Sequence, residues 1–435
     1  MGDMAKSEGW TSWRVFDSPV GELAEAMSWL AEYPHGCLEQ TSSRIFPLIA
    51  ADGILSTVAS VAASNRAEYV AAGVKRVESM VRENDFVMWP DCNYPPWDRE
   101  VSLYAAHFLI EAERAGEKLN AAVRGKVIGF LGKWAMETNR TVSAYACHTL
   151  ALAGKPEKDR MFSLYDRLSA LTLLDRARLA RAFVAIHDRK RAETLLRNAA
   201  SPASVKEAAF ALLALIELDP DDARILPLVE YLNGARDRAR FSWGTTGENA
   251  HALLALGAYF RCHPPKPGEK FVAWRKLTLP DVSEVKDEAS GIHLSRRFLT
   301  PEGTPIATNE FRHGEMVVVE LTLASDDSRD LSDLVIEDLF AGAFEPIHGA
   351  APAPAAGATN EVDSAMWVMR SDARDDRMLV FSKKFHLEKG EHAVFRYPVR
   401  AVSAGEYTLP GVSVEGMYHP ALRARTRCDR IVVRH

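Results

Sequence analysis

Cys37 and Gln40 are two residues whose types and spacing allow them to bond to each other. They enclose Leu38 and Glu39 in the run Tyr33-Pro34-His35-Gly36-Cys37-Leu38-Glu39-Gln40-Thr41-Ser42-Ser43-Arg44. If a helix starts directly after Gly36, residues three apart share a face. The sulfur of Cys37 then reaches the side-chain amide carbon of Gln40. A thiolate there can add to the amide, expel ammonia and close an internal thioester. In water this runs uphill and the product hydrolyses. The fold must favour the thiolate, stabilise the oxyanion and exclude solvent. The positive end and unpaired N–H groups of a helix N-terminus serve the first two needs.

The elements that position this pair are read from the rest of the chain. Its 435 residues predict two or three domains with large cores. A net charge of −6 gives no reason to expect nucleic acid or an anionic membrane as partner. The arginine runs Arg176-Ala177-Arg178 and Arg423-Ala424-Arg425 read as solvated faces. No apolar run reaches the roughly twenty residues of a membrane span. Five cysteines, at 37, 92, 147, 262 and 428, show no metal-type pairing, and no metal or cofactor is expected. The odd count suits one cysteine held in a thioester. The start shows no positive-then-apolar signal pattern, and Met1-Gly2-Asp3-Met4 reads as an appended beginning to chain from the middle of something longer.

Residues 1–17 read as the remnant of an incoming strand, and Ser18-Pro19 as a capped helix start. From 18 to 262 apolar residues recur at three- and four-residue spacing. Four alanine-rich segments repeat one theme: Val101–Ile110, Val142–Ala151, Val205–Ala214 and Glu248–Gly257. Apolar nearly all round, they are expected as inner helices. The more charged Asn120–Glu137 and Asp188–Ala200 suit an outer ring. About twelve helices predict a closed α/α toroid of six hairpins. Two loops with tryptophans, 88–97 and 241–248, precede inner helices. Trp89, Trp97 and Trp243 are expected to plug hairpin ends. Prolines after Cys262 end the helical pattern, residues 263–290 read as a connecting β segment, and 291–435 as an antiparallel β sandwich with strands at 291–299, 316–323, 333–339, 377–387, 392–401, 407–414 and 430–433. Within it, 349–358 is a low-complexity loop.

The stretch around Gly36-Cys37-Leu38-Glu39-Gln40, with Tyr33-Pro34 ahead and Thr41-Ser42-Ser43-Arg44 behind, resembles the thioester motif of the α2-macroglobulin and complement family. The Leu38 form looks like that of the bacterial α2-macroglobulins. Val335–Glu345, Arg374–Arg377 and Met417-Tyr418-His419-Pro420 resemble their terminal domain, so the resemblance covers nearly the whole chain. It implies a Cys37–Gln40 thioester supported by Gly36, Leu38 and Glu39, in an α/α toroid inserted into a small β domain. It also implies a periplasmic inhibitor, of a kind that can be lipid-anchored, whose upstream domains carry a bait region. Cleavage of that bait exposes the bond, and a surface lysine of the protease attacks it. This is a single-use trap rather than an enzyme.

Some relatives use a downstream histidine to turn the thioester toward hydroxyl targets. The corresponding stretch here runs from Trp134–Asn139 directly into Val142 without one. His107, His148 and His251 read as satisfied core residues and His35 as packing, which leaves lysine amines as direct attackers. Tyr33, limited by Pro34, and Met417 with Tyr418, expected in a loop at the sandwich end, are candidates to seal the bond. Two other readings fit the same residues. Alone, a cysteine before a helix is ordinarily an inert small hydrophobe, which would make the toroid a non-reactive interaction module. A toroid with a zinc site is the other, but Cys147-His148 cannot form that site by itself.

Overall fold

The computed structural model describes residues 9–16, 21–33, 35–50, 65–237, 242–264, 266, 268–278, 284–347 and 363–435. The helix start read at Ser18-Pro19, Pro34 and the loop 349–358 lie outside them. The chain divides into two units, one of Thr11–Arg275 and the other of Met1–Trp10 with Lys276–His435.

The helical unit has twelve α-helices among the described residues: α1 Gly21–Ala31, α2 Leu38–Ala50, α3 Arg66–Glu78, α4 Arg99–Arg114, α5 Ala121–Ala135, α6 Arg140–Leu152, α7 Lys158–Tyr165, α8 Leu173–Ala185, α9 Arg189–Leu195, α10 Val205–Leu218, α11 Ile225–Ala235 and α12 Thr246–Cys262. Each even-numbered helix packs on the next even-numbered one, and α12 packs back on α2. They form the closed inner ring of an α/α toroid. The odd-numbered helices pack on the outside of that ring. All four alanine-rich segments fall on inner helices, and Val101–Ile110 is buried without a break. Small side chains let such helices be covered on every side.

Two inner helices, α2 and α8, lie outside the alanine-rich theme. In α8, Arg178 is fully buried and Arg181 nearly so. The run expected on a solvated face therefore points partly inward. The Arg178 guanidinium lies 3.7 Å from the centroid of the Tyr145 ring and bonds Glu100 at 3.0 Å. Ring face and carboxylate replace the water that an arginine normally needs. Arg423 and Arg425 are exposed, as expected. Trp89 and Trp243 are buried as expected of plugs, but Trp97 is 68 % exposed. Among the described residues no helix is long and apolar enough to cross a membrane.

The strands Gly9–Phe16 and Phe271–Thr278 flank the helices and pair with each other. The β unit is a sandwich. In one sheet Met316–Ser325 is central between Ile292–Leu299 and His392–Ala401. The other orders Val368–Ala373, Arg377–Ser382, Leu334–Leu339, Ser413–Gly416, His419–Arg425 and Glu288–Ser290. Alternate residues Val317, Val319, Leu321 and Leu323 meet Ile336, Val380 and Val414 in one core. Among the described strand pairs of this unit, pairing is antiparallel except where Asp363–Ala365 joins His392–Ala401 and Glu310–Arg312 joins Asp429–Arg434 in parallel, and a single parallel bridge links Gly291 to Arg423.

The approach of α3 to the first inner helix, α2, depends on Gly73. A Cβ there would meet Ile45 Cδ1 at 2.9 Å, with Ile45 itself buried. Gly73→Ala gains at most about 1 kcal/mol of helix propensity, while overpacking costs about 1–3 kcal/mol. The variant is expected to be destabilised, and Ile45→Ala in the same chain to restore part of the loss relative to additivity. Denaturant unfolding followed by far-ultraviolet circular dichroism checks both; a more stable Gly73→Ala would show that the approach is not tight.

Candidate functional site

The inner helices present their first turns at one rim. Glu39 in α2 meets Thr246 in α12, and Glu100 in α4 meets Lys206 in α10. A helix start leaves N–H groups without intrahelical partners, and this rim satisfies them with polar side chains. Asp98 caps α4, Asn139 caps α6, Thr172 α8, Ser204 α10 and Thr245 α12. Thr172 with Asp175 and Thr245 with Glu248 are capping boxes, in which cap and third residue bond each other's backbone.

Cys37 occupies the same place ahead of α2, with sulfur in the role of the hydroxyl. Its carbonyl accepts from Thr41 N–H at 2.8 Å, the first bond of the helix. Its Sγ lies 3.5 Å from Gln40 N–H, and Gln40 Oε1 lies 3.2 Å from Cys37 N–H. Cap and third residue are thus joined reciprocally, as in the boxes of α8 and α12. The arrangement brings sulfur and side-chain amide together. It also aims the Cys37 N–H at the oxygen that turns negative when sulfur adds to the amide carbon, and aims a second N–H at the sulfur. Cys37 and Leu38 are fully buried and Gln40 is 1 % exposed, so bulk water is excluded from the pair.

The rest of the motif fixes this turn. Leu38 N–H donates to the Met88 carbonyl at 2.9 Å, a loop-borne partner not foreseen from the sequence. Gly36 carries no side chain where Arg76 lies, and its carbonyl accepts from Arg76 Nη2 at 2.8 Å and from Thr41 Oγ1 at 3.2 Å. Glu39 turns away from the bond. Its oxygens accept from Ser43 Oγ at 2.6 Å and Thr246 Oγ1 at 2.7 Å. Burial pushes its carboxyl above the usual range, against those two hydrogen bonds. Ser43 also lies 3.1 Å from the Tyr104 hydroxyl. Arg44 bonds the Ala31 carbonyl at 3.0 Å and the Tyr69 hydroxyl, tying α2 to α1 and α3.

Gly36, Cys37, Leu38, Glu39 and Gln40 are therefore one constellation. Half-buried Tyr33 lies in the same unit, with Trp29 5.4 Å and His35 5.3 Å from its ring centroid. Met417 and Tyr418 belong to the β unit, in the turn between Ser413–Gly416 and His419–Arg425. There Met417 is buried and its N–H donates to the Asp333 carbonyl at 3.0 Å.

His107, His148 and His251 are inner-ring residues, as expected, but not all satisfied. Neither ring nitrogen of His148 has a hydrogen-bond partner among the described residues. Burial holds its pKa well below the usual histidine range. Burial also pushes the Cys147 thiol up to about 12, unfavourable to a thiolate ligand. Four residues connect α5 to α6, none of them histidine, and the last, Asn139, caps α6. The sequence reading missed Met88, Arg76 and the capping box itself. The signal for the last was present: Cys-x-x-Gln has the spacing of Thr245-x-x-Glu248.

Residues 291–421 match the family described as the bacterial α2-macroglobulin MG10 domain. Over 93 % of its length the chain is 24 % identical to an α2-macroglobulin of Xylella fastidiosa, and over 95 % it is 23 % identical to that of Escherichia coli K12. It spans 29 % of the length of each of those relatives. Native E. coli α2-macroglobulin from domain MG7 to the C-terminus superposes on 99 % of the chain, with a TM-score of 0.77 at 19 % identity and 82 % of that structure covered. Salmonella α2-macroglobulin reacted with methylamine covers the same share, with a TM-score of 0.75 at 20 % identity and 34 % of that structure covered. The sequence matches, the MG10 domain at residues 291–421 and the shared two-part architecture make the chain similar to the C-terminal region of the bacterial α2-macroglobulins.

Proposed function

We propose that this chain is the thioester-bearing part of a protease-trapping inhibitor. The observation that carries the reading is the sulfur-for-hydroxyl capping box at Cys37 and Gln40. The thiolate adds to the Gln40 side-chain carbon, ammonia leaves, and a thioester joins the two residues. A lysine amine on the surface of a protease then attacks the same carbon. The amine becomes an amide at residue 40, and the Cys37 thiol is released. One bond is consumed per event, so the protein inhibits and does not turn over. The longer protein, with its upstream domains and bait region, would act in the periplasm. Tyr33, Met417 and Tyr418 are proposed as the cover of the bond on chemical grounds: two aromatic rings and a pliable thioether suit an irregular gap.

Freshly prepared protein is expected to weigh one ammonia less than its sequence mass. Methylamine should add its own mass, leaving the protein one CH2 heavier than its sequence, and free one thiol. Intact-mass spectrometry with thiol titration reads both, with Cys37→Ala as the blank. An untreated mass equal to that of the sequence, even after rapid preparation, favours the non-reactive interaction module.

No histidine is assigned to the transfer. Single replacement of His35, His107, His148 or His251 by Ala, where folding survives, is expected to leave methylamine incorporation nearly unchanged. A hundredfold loss at any one, about 2.7 kcal/mol on the barrier, would make that residue a base or acyl carrier.

The cover is tested by spontaneous thiol release in Tyr33→Ala, Met417→Ala and Tyr418→Ala. Faster release at unchanged melting temperature is expected. Release at the parent's rate in all three rejects the cover.

A further inference from the structure

The inner helices run from the rim of Cys37 to a second opening at their C-terminal ends, where a cavity of about 370 Å³ enters the ring. That volume is at the small end of ligand pockets. Helical spacing sorts the walls by depth. Phe46, His107 and His251 form the floor, Leu254 and Glu111 come one turn higher, and Arg114 and Arg261 stand at the mouth. Exposure rises in the same order: 3 % for His107 and His251, then 18 % for the Glu111 side chain and 49 % for that of Arg114.

The charges in the wall are unequal. Two carboxylates, Glu111 and Glu217, face three guanidiniums, Arg114, Arg181 and Arg261. Arg181 is 2.7 Å from Glu217 and Arg114 is 3.0 Å from Glu111, which leaves the excess positive charge with Arg261 at the mouth. Burial keeps both floor histidines below their usual pKa, His251 at about 3, so they add no charge. His251 Nδ1 is 2.6 Å from the Gly247 carbonyl. A carbonyl only accepts, so Nδ1 carries the hydrogen and Nε2 is a bare acceptor. That buried Nε2 has no hydrogen-bond partner among the described residues, an arrangement native proteins ordinarily avoid.

We propose that this opening binds a small amphiphilic acid, with its anionic head at Arg114 and Arg261, its apolar body between Phe46 and Leu254, and a hydroxyl at its far end donating to His251 Nε2. Ten residues of α12 separate His251 from Arg261, a rise of about 15 Å. A straight ten-carbon chain with polar groups at both ends spans that depth.

Isothermal titration of the full chain with decanoate, 10-hydroxydecanoate and decan-1-ol, all below micelle formation, tests this. Both acids are expected to bind one to one, the hydroxy acid at least fivefold more tightly, and the alcohol at least tenfold more weakly than decanoate. Arg261→Gln should weaken both acids about tenfold, and His251→Phe should abolish the preference for the hydroxyl. Should His251→Phe not fold, the comparison of ligands and Arg261→Gln still decide. Cys37→Ala should bind as the parent does, which separates this site from the thioester reading. Absence of binding by either acid, equal binding of the alcohol, or affinities unmoved by Arg261→Gln overturns the proposal.

Discussion

A helix cannot satisfy its own first N–H groups, and the candidate site of this protein follows from that constraint. Closing six hairpins into a ring gathers six sets of such donors at one rim. Five inner helices meet the demand with oxygen from Asp98, Asn139, Thr172, Ser204 and Thr245. The sixth meets it with sulfur from Cys37 and with the amide of Gln40. A motif that elsewhere in the ring only stabilises a helix here holds two potential reactants in contact, among N–H groups that suit both the thiolate and the oxyanion.

The ring must also hold that turn still, and it does so with buried polar contacts between helices distant in sequence. Glu39 reaches Thr246, and the fully buried Arg178 bonds Glu100. Each contact is specific because its loss would leave a buried group without compensation, which costs more than the intact pair contributes. The apolar body of the toroid supplies the bulk of the burial. The polar contacts select one register among the many that alanine-rich helices would tolerate.

How much of this was legible follows from which forces are local. Inner helices with alanine and large apolar residues, such as α4 and α12, stood out because their composition alone requires burial. The α8 segment did not, since Arg176-Ala177-Arg178 read as a water-facing run until Tyr145 and Glu100 are brought beside Arg178. The Cys37–Gln40 spacing was readable as chemistry because it lies within one helical turn. Its backbone partner Met88 was not, because a carbonyl leaves no mark in the sequence. In the sandwich Met316–Ser325 and His392–Ala401 were readable from their alternation, whereas Val368–Ala373, His419–Arg425 and the three-residue edges were not, and the ranges 377–387 and 407–414 each divide into two strands.

The bond between Glu39 and Thr246 joins residues 207 positions apart. It marks the seam where the last inner helix meets the first. Bringing such distant parts of a chain together carries the largest loop-closure cost in the ring and is rewarded only after the intervening hairpins have stacked. The seam is therefore among the last joints to form as the chain folds. The turn holding Cys37 and Gln40 is next to it, so the completed ring is a prerequisite for their shielded geometry. Position at the seam ties the enclosure of this turn to the closure of the ring, because Glu39 has Thr246 beside it only when α12 meets α2.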